Sequence, residues 1–405
     1  MNDSAIIRTI SKVHSTIIDL LIFIFAALFT IYFTLHIGLK LDNFILPGIN
    51  IEQLYIKWDE KIVVDIESAT ITKSNTENGF DISSIDPQRL LKVSRVLDSL
   101  FSDITIRNIH YNDINATFRY IEHDAAYANI DGPTLKLTTT VTMDDDHLLI
   151  NIQDLQELSN KSRMKGQILI DTNERKLYGD LDINAGDVMP LKLYLLADQQ
   201  KVRLWGKGTQ PFTKSIKPAI RIAHLHPKVE PWVADYHSGK EIHLEYFKGT
   251  LVYDDPITLL DTLDARVRYD DMQYTFAPGY APVYAEYTDV TFKDRVLNIY
   301  PREATYYGQP GEKTWLKIDF NDPSHPVLTV DVDTSAQLTK EMLPWLKGYG
   351  ITLPFYQTRG VTTVKLAIAV ALNHIHVSAQ GYFKTDEATF NFSNTDIDVK
   401  NVLVN

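Results

Sequence analysis

The 405-residue chain has no cysteine. A disulfide framework, a thiolate zinc centre and a cysteine nucleophile are therefore excluded. The absence fits an oxidising compartment, where stray thiols are a liability. Glycine (18 residues) and proline (17) are too sparse for a disordered linker protein. Basic side chains are outnumbered, 40 Lys and Arg against 52 Asp and Glu, for a formal net charge of −12. That balance argues against a nucleic-acid partner, because phosphate binding needs clustered cations. Also missing are the G-x-S-x-G elbow, the H-E-x-x-H zinc motif, the Walker loop and the dinucleotide glycine motif. The sequence gives no reason to expect an enzyme or a cofactor.

What is present is a globular composition, 44% hydrophobic and 23% charged, in a chain long enough for two or three domains. One run is far more apolar than the rest. Ile17 to Leu39 reads IIDLLIFIFAALFTIYFTLHIGL, with no charge from Leu20 to Leu35. As a helix it would measure about 35 Å, enough for a bilayer core of about 30 Å. A cleaved signal peptide has a shorter apolar core that ends at a small-x-small site. Here the small pair Ala26–Ala27 lies in mid-run. The reading is an uncleaved transmembrane anchor over residues 17–39. Arg8 and Lys12 precede it, so the positive-inside rule puts residues 1–16 in the cytoplasm and the bulk of the chain on the far side.

After the anchor, large apolar residues recur at every second position, which is a strand period. Leu54, Ile56 and Trp58 alternate before a turn at Asp59–Glu60, and Ile62, Val64 and Ile66 after it. Ile168 and Ile170 precede a turn at Asp171–Glu174, and Leu177, Leu181 and Ile183 follow. The longest such row is Val364, Leu366, Ile368, Val370 and Leu372, backed by Thr363, Lys365 and three alanines. Helical patterns are few: residues 87–101, with Pro87 in the first turn, then 215–236, 257–263 and 338–348. Pro231-Trp232 with Tyr236, and Pro344-Trp345 with Tyr349, mark an internal repeat offset by about 113 residues. The organisation expected is a first β module over 41–210 carrying helix 87–101, and repeated helix-plus-strand modules over 211–405. So few helices cannot cover so many one-sided strands. The sheet must fold on itself as a sandwich or form a trough filled by something else.

Two histidine pairs, His224/His226 and His374/His376, could each present two ligands on one strand face, but no third donor completes a site in sequence. Acidic clusters at Asp144–Asp146, Asp254–Asp255 and Asp270–Asp271 read as solvated hairpin tips. No catalytic and no metal site is expected from them.

The apolar span, LPGINIEQLYIKWDEKIVVDIESATI directly after it, PQRLLKVSRVLDSLF, QILIDTNERKLYGDLDI and the PWVADY and PWLKGYGITLPFYQTRGVT segments together resemble the AsmA-like superfamily of bacterial envelope proteins, of the YhdP and TamB kind. The resemblance covers nearly the whole chain. It implies an N-terminal part of a longer protein, held in the inner membrane by one helix. It further implies an elongated, curled antiparallel β-sheet in the periplasm, with a few short helices and a hydrophobic groove that carries phospholipid towards the outer membrane, as in bridge-like lipid-transfer proteins. The groove lining expected on that basis is Ile168, Ile170, Leu181, Ile183, Leu328, Val330, Val332, Val364, Leu366, Ile368 and Val370. A second function compatible with the resemblance is a scaffold that assists assembly of β-rich outer-membrane proteins, with a periplasmic or outer-membrane partner on the edge near Asp396–Val404.

Overall fold

A computed structural model describes residues 20, 22–72, 87–144, 146–212, 237–275, 281–322, 325–348, 352–371 and 376–404. The protein is mainly β, built on a large, mostly antiparallel sheet that is not closed. It divides into two compact units, residues 1–158 with 167–174, and residues 159–166 with 175–405.

The first unit opens with helix α1 (22–37), followed by β1 (Leu39–Leu46), β2 (Ile49–Trp58), β3 (Ile62–Ile71), α2 (Pro87–Leu100), β4 (Phe101–Tyr111), β5 (Ile114–Ile121), β6 (Ala126–Asp131), β7 (Leu135–Asp144) and β8 (His147–Glu157). β9 (Ser162–Asp171) contributes residues to both units. Successive strands pair antiparallel, Leu41 opposite Leu54 and Leu54 opposite Ile66. The exception is β3 with β4, which run parallel with Ile66 opposite Ile106. A parallel pair cannot be joined by a hairpin, and α2 lies in its crossover. The core of this unit is Leu54, Ile66 and Ala69, packed by Leu41, Ile51, Ile56, Val64 and Ile106.

The second unit continues with β10 (Lys176–Ala185), β11 (Met189–Ala197), β12 (Lys201–Gly208), β13 (His237–Ser238), β14 (Glu241–Val252), α3 (Thr258–Thr262), β15 (Asp264–Tyr274), β16 (Val283–Lys293), β17 (Val296–Arg302), β18 (Thr305–Tyr306), β19 (Gln309–Pro310), β20 (Trp315–Asp319) and β21 (Val327–Ala336). A 3-10 turn (Lys340–Met342), α4 (Leu343–Gly348), β22 (Phe355–Gly360), β23 (Thr362–Ala371), β24 (His376–Phe392) and β25 (Thr395–Val404) complete it. The long strands pair antiparallel from β10 through β11, β12, β14, β15, β16, β17, β20, β21, β23 and β24 to β25. Turn chemistry explains several joints. At the β11–β12 hairpin the Asp198 carboxylate accepts the backbone N–H groups of Gln200 and Lys201 at 2.9 and 3.0 Å. Those bonds hold its pKa below the ordinary value. A six-residue cluster of Phe212, Ile242, Tyr269, Met272, Ala285 and Ala304 forms the best-buried core.

Several expectations are corrected. The apolar helix ends at residue 37, and Leu39 is already in β1, paired with Ile56. Gly38, at φ +105°, makes the break, and a Cβ there would lie 2.7 Å from the Tyr55 ring. Among the described residues no helix is long and apolar enough to cross a membrane; residues 1–19 and Leu21 lie outside them. Asp270–Asp271 is not a hairpin tip. It lies inside β15, where Asp271 takes a left-handed φ of 49° and the strand runs on to Tyr274. The helix expected over 215–236, His224, His226 and His374 lie outside the described residues.

Candidate functional site: an apolar sheet face

In both units the register puts the apolar residues of successive strands on one face. In the first unit, one row runs Leu41, Leu54, Ile66, Ile106, Phe118, Ala128, Thr139 and Ile152. Several large side chains of the same face remain exposed: Phe44, Leu46, Trp58, Ile71, Tyr111 and Ile114. In the second unit, a row starts at Leu181 and passes Leu193, Gly206, Phe247, Ala265, Phe292, Leu297, Ile318 and Leu328 to Val370. A parallel row runs Val267, Val290, Ile299, Leu316, Val330, Ile368 and Ala379.

The expected lining falls into place unevenly. Leu328 faces Val370, Val330 faces Ile368, Val332 faces Leu366, and Val364 lies opposite Thr334, so β21 and β23 bring seven of the eleven residues into one patch. Leu181 and Ile183 lie on the same face of the second unit, far along the row. Ile168 and Ile170 share a face of β9 and belong to the first unit. Leu181 and Leu328 are buried, at 4% and 7% exposure. The other nine are only partly buried. The interior of a two-layer sandwich would bury Val, Leu and Ile side chains almost completely; this face leaves them in reach of solvent.

The opposite face is charged. Lys192 bridges Asp180 and Asp182, and the hydrogen bond to Asp180 raises its pKa. Arg266 meets Glu245 and Asp289 at 3.0 and 3.1 Å, Lys317 meets Asp319 at 3.0 Å, and Lys365 meets Asp333 at 3.4 Å. Exposed pairs of this kind stabilise by about 0–1 kcal/mol each. Their use is to keep that face wet and to fix which face is dry. A hollow of about 320 Å³ on the first unit lies mostly on the polar side, lined by Thr105, Arg107, Thr117, Arg119 and Tyr127 among others. Its two arginines are already held by Asp65 and Asp103.

Helices touch the dry face at its margins. Asp98 of α2 accepts a hydrogen bond from the Tyr120 hydroxyl at 2.9 Å, and Tyr120, on the apolar row of β5, is 2% exposed. Lys61 donates to the Asp98 carbonyl and to Glu122, and Arg95 lies 4.0 Å from Asp146 in the β7–β8 turn. α2 therefore straps one end of the first unit's sheet, from the start of β3 to the turn after β7. α1 joins at that same end, where His36 Nδ1 lies 3.2 Å from the Trp58 carbonyl. In the second unit, Leu259 of α3 covers Gly249, and Trp345 of α4 packs edge-on against Tyr306 with ring centroids 5.1 Å apart.

Sequence reasoning missed the strap and most of the middle of the row, from Phe247 to Ile318. The alternation of β16 and β17 was there to be read. The strap was not, because its side chains meet partners more than twenty residues away. In comparison with known proteins, no family model, no curated protein and no solved structure matches the chain.

Proposed function

We propose that the protein is an AsmA-like, membrane-anchored carrier of phospholipid, set in the bacterial inner membrane with the bulk of its chain in the periplasm. Acyl chains cover the apolar sheet face, and the lipid moves along it between inner and outer membranes. The observation that carries this reading is the row of partly exposed Val, Leu and Ile side chains that continues from strand to strand against a charged opposite face. Each methylene removed from water stabilises by about 0.8 kcal/mol. A lining without polar clamps offers many near-equal positions, which is what movement along it requires.

The anchor in this reading is the apolar run that begins at Ile17 and ends where α1 does, at residue 37. Its described part, α1, measures about 24 Å and presents exposed Phe23, Phe25, Leu28, Phe29, Ile31 and Phe33. Such a surface suits lipid far better than water. The scaffold reading rests on the outer edge of β25, a strand that pairs antiparallel with β24.

The test is photo-crosslinking in intact cells. A photoreactive amino acid replaces Ile368 or Val330, and in separate strains the outward-facing Ala369 or Thr329. Mass spectrometry then identifies the adducts. Phospholipid adducts at Ile368 and Val330, and not at Ala369 and Thr329, support the carrier. Equal labelling of both faces, or protein adducts alone, overturns it.

A further inference from the structure

We infer a metal-ion site on the polar face of the second unit, formed by Glu241 and His243 of β14 and Asp270 of β15. It is independent of the lipid reading. Glu241 and His243 are two apart and share a strand face, and the register sets Asp270 directly across from Glu241. The donor atoms of the three side chains all lie within 4.8 Å of one another. His243 Nε2 is 3.1 Å from Asp270 Oδ2 and 3.6 Å from Glu241 Oε2. A tetrahedral cation with ligands at 2.0–2.2 Å sets its donors about 3.4 Å apart. The two separations bracket that edge, so a cation can enter with little side-chain movement.

Two further features point to a cation. Like charges placed directly opposite on neighbouring strands destabilise the ladder, and Glu241 across from Asp270 is such a pair. Arg268 answers only part of this. Its Nε donates to Asp270 Oδ1 at 2.9 Å, and its guanidinium stacks on Tyr287 at 4.8 Å, which fixes the carboxylate with Oδ2 turned to the histidine. An outer hydrogen bond that orients a ligating carboxylate is a regular companion of metal sites. One imidazole with two carboxylates suits zinc or a neighbouring first-row divalent ion, and suits magnesium or calcium poorly, since both prefer all-oxygen shells. Water would complete the shell.

The test uses the full chain, purified in detergent without a polyhistidine tag, stripped with a chelator and titrated calorimetrically with ZnCl₂ and, separately, MgCl₂. Zinc at one equivalent with micromolar affinity, preferred over magnesium and weakened at least about tenfold in both His243→Ala and Glu241→Gln with unchanged circular dichroism, supports the site. If His243→Ala fails to fold, Glu241→Gln alone decides. No zinc uptake, or uptake indifferent to these substitutions, overturns it.

Discussion

Tyr120 shows how one side chain can tie a helix to a sheet. Burial, and then the hydrogen bond to Asp98, raise its pKa above the ordinary value, because both favour the neutral phenol. Tyr120→Phe keeps the ring and removes the bond, leaving the Asp98 carboxylate one donor poorer. The expected loss is about 1–2 kcal/mol in denaturant unfolding, with faster amide exchange over 93–100 than in β10 or β11. Uniform exchange in mutant and parent would show that the strap is held by something else. Glycine works at the same scale in another way. At Gly381, opposite Leu366, a Cβ would meet the Lys365 carbonyl oxygen at 2.0 Å, so the close approach of β23 and β24 depends on its absence.

At the scale of the element, β23 is the sharpest case of a strand with two natures. Its Val364, Leu366, Ile368 and Val370 face one way, and Thr363, Lys365, Ala367 and Ala369 the other. A carboxylate amid acyl chains costs up to about 3 kcal/mol, or roughly a hundredfold in local occupancy. Ile368→Asp or Val330→Glu should therefore lower phospholipid adducts at Val370 by up to about that factor, while circular dichroism stays that of the parent. Undiminished adducts would remove these positions from the lining. This alternation was legible in the sequence, and with it most long strands and the turns at Asp59–Glu60 and Asp171–Glu174. What was not legible has physical causes. Asp270–Asp271 looks like a turn because paired acids favour solvent, yet the left-handed backbone at Asp271 lets β15 carry them in mid-strand. That misreading also hid the Glu241–His243–Asp270 cluster, which exists only once β14 and β15 are in register. Strands of two residues, such as β18 and β19, carry too few positions to show a period.

For the whole molecule, stability should follow a plateau in pH. Asp198, Asp319 and Glu341 have pKa values lowered chiefly by backbone hydrogen bonds. At Asp264 burial opposes the shift, and the bonds from Tyr246 and Lys248 outweigh it. A folded pKa below the unfolded one makes a contribution that is complete above the ordinary aspartate value of 3.8, or 4.5 for Glu341, and is lost as pH falls through the folded value. Tyr120 and Tyr269 are shifted the other way, Tyr269 by burial alone. Their contribution is complete below the ordinary tyrosine value of 10.0 and is lost as pH rises beyond it. Melting temperature should thus be level from about pH 5 to 9 and fall on both sides; a maximum at acid pH would contradict these assignments. The pairing order holds one more consequence. Most neighbouring strands are also neighbours in sequence, joined by short turns, and such hairpins close in about 1–10 μs. The chain can therefore assemble strand by strand as it is synthesised, with β3 and β4 as an early pause while their crossover is completed. Each stage presents an open edge and an uncovered greasy face, so a stalled chain is sticky along its whole growing side. Escort by a chaperone during synthesis is thus a need that the same architecture creates.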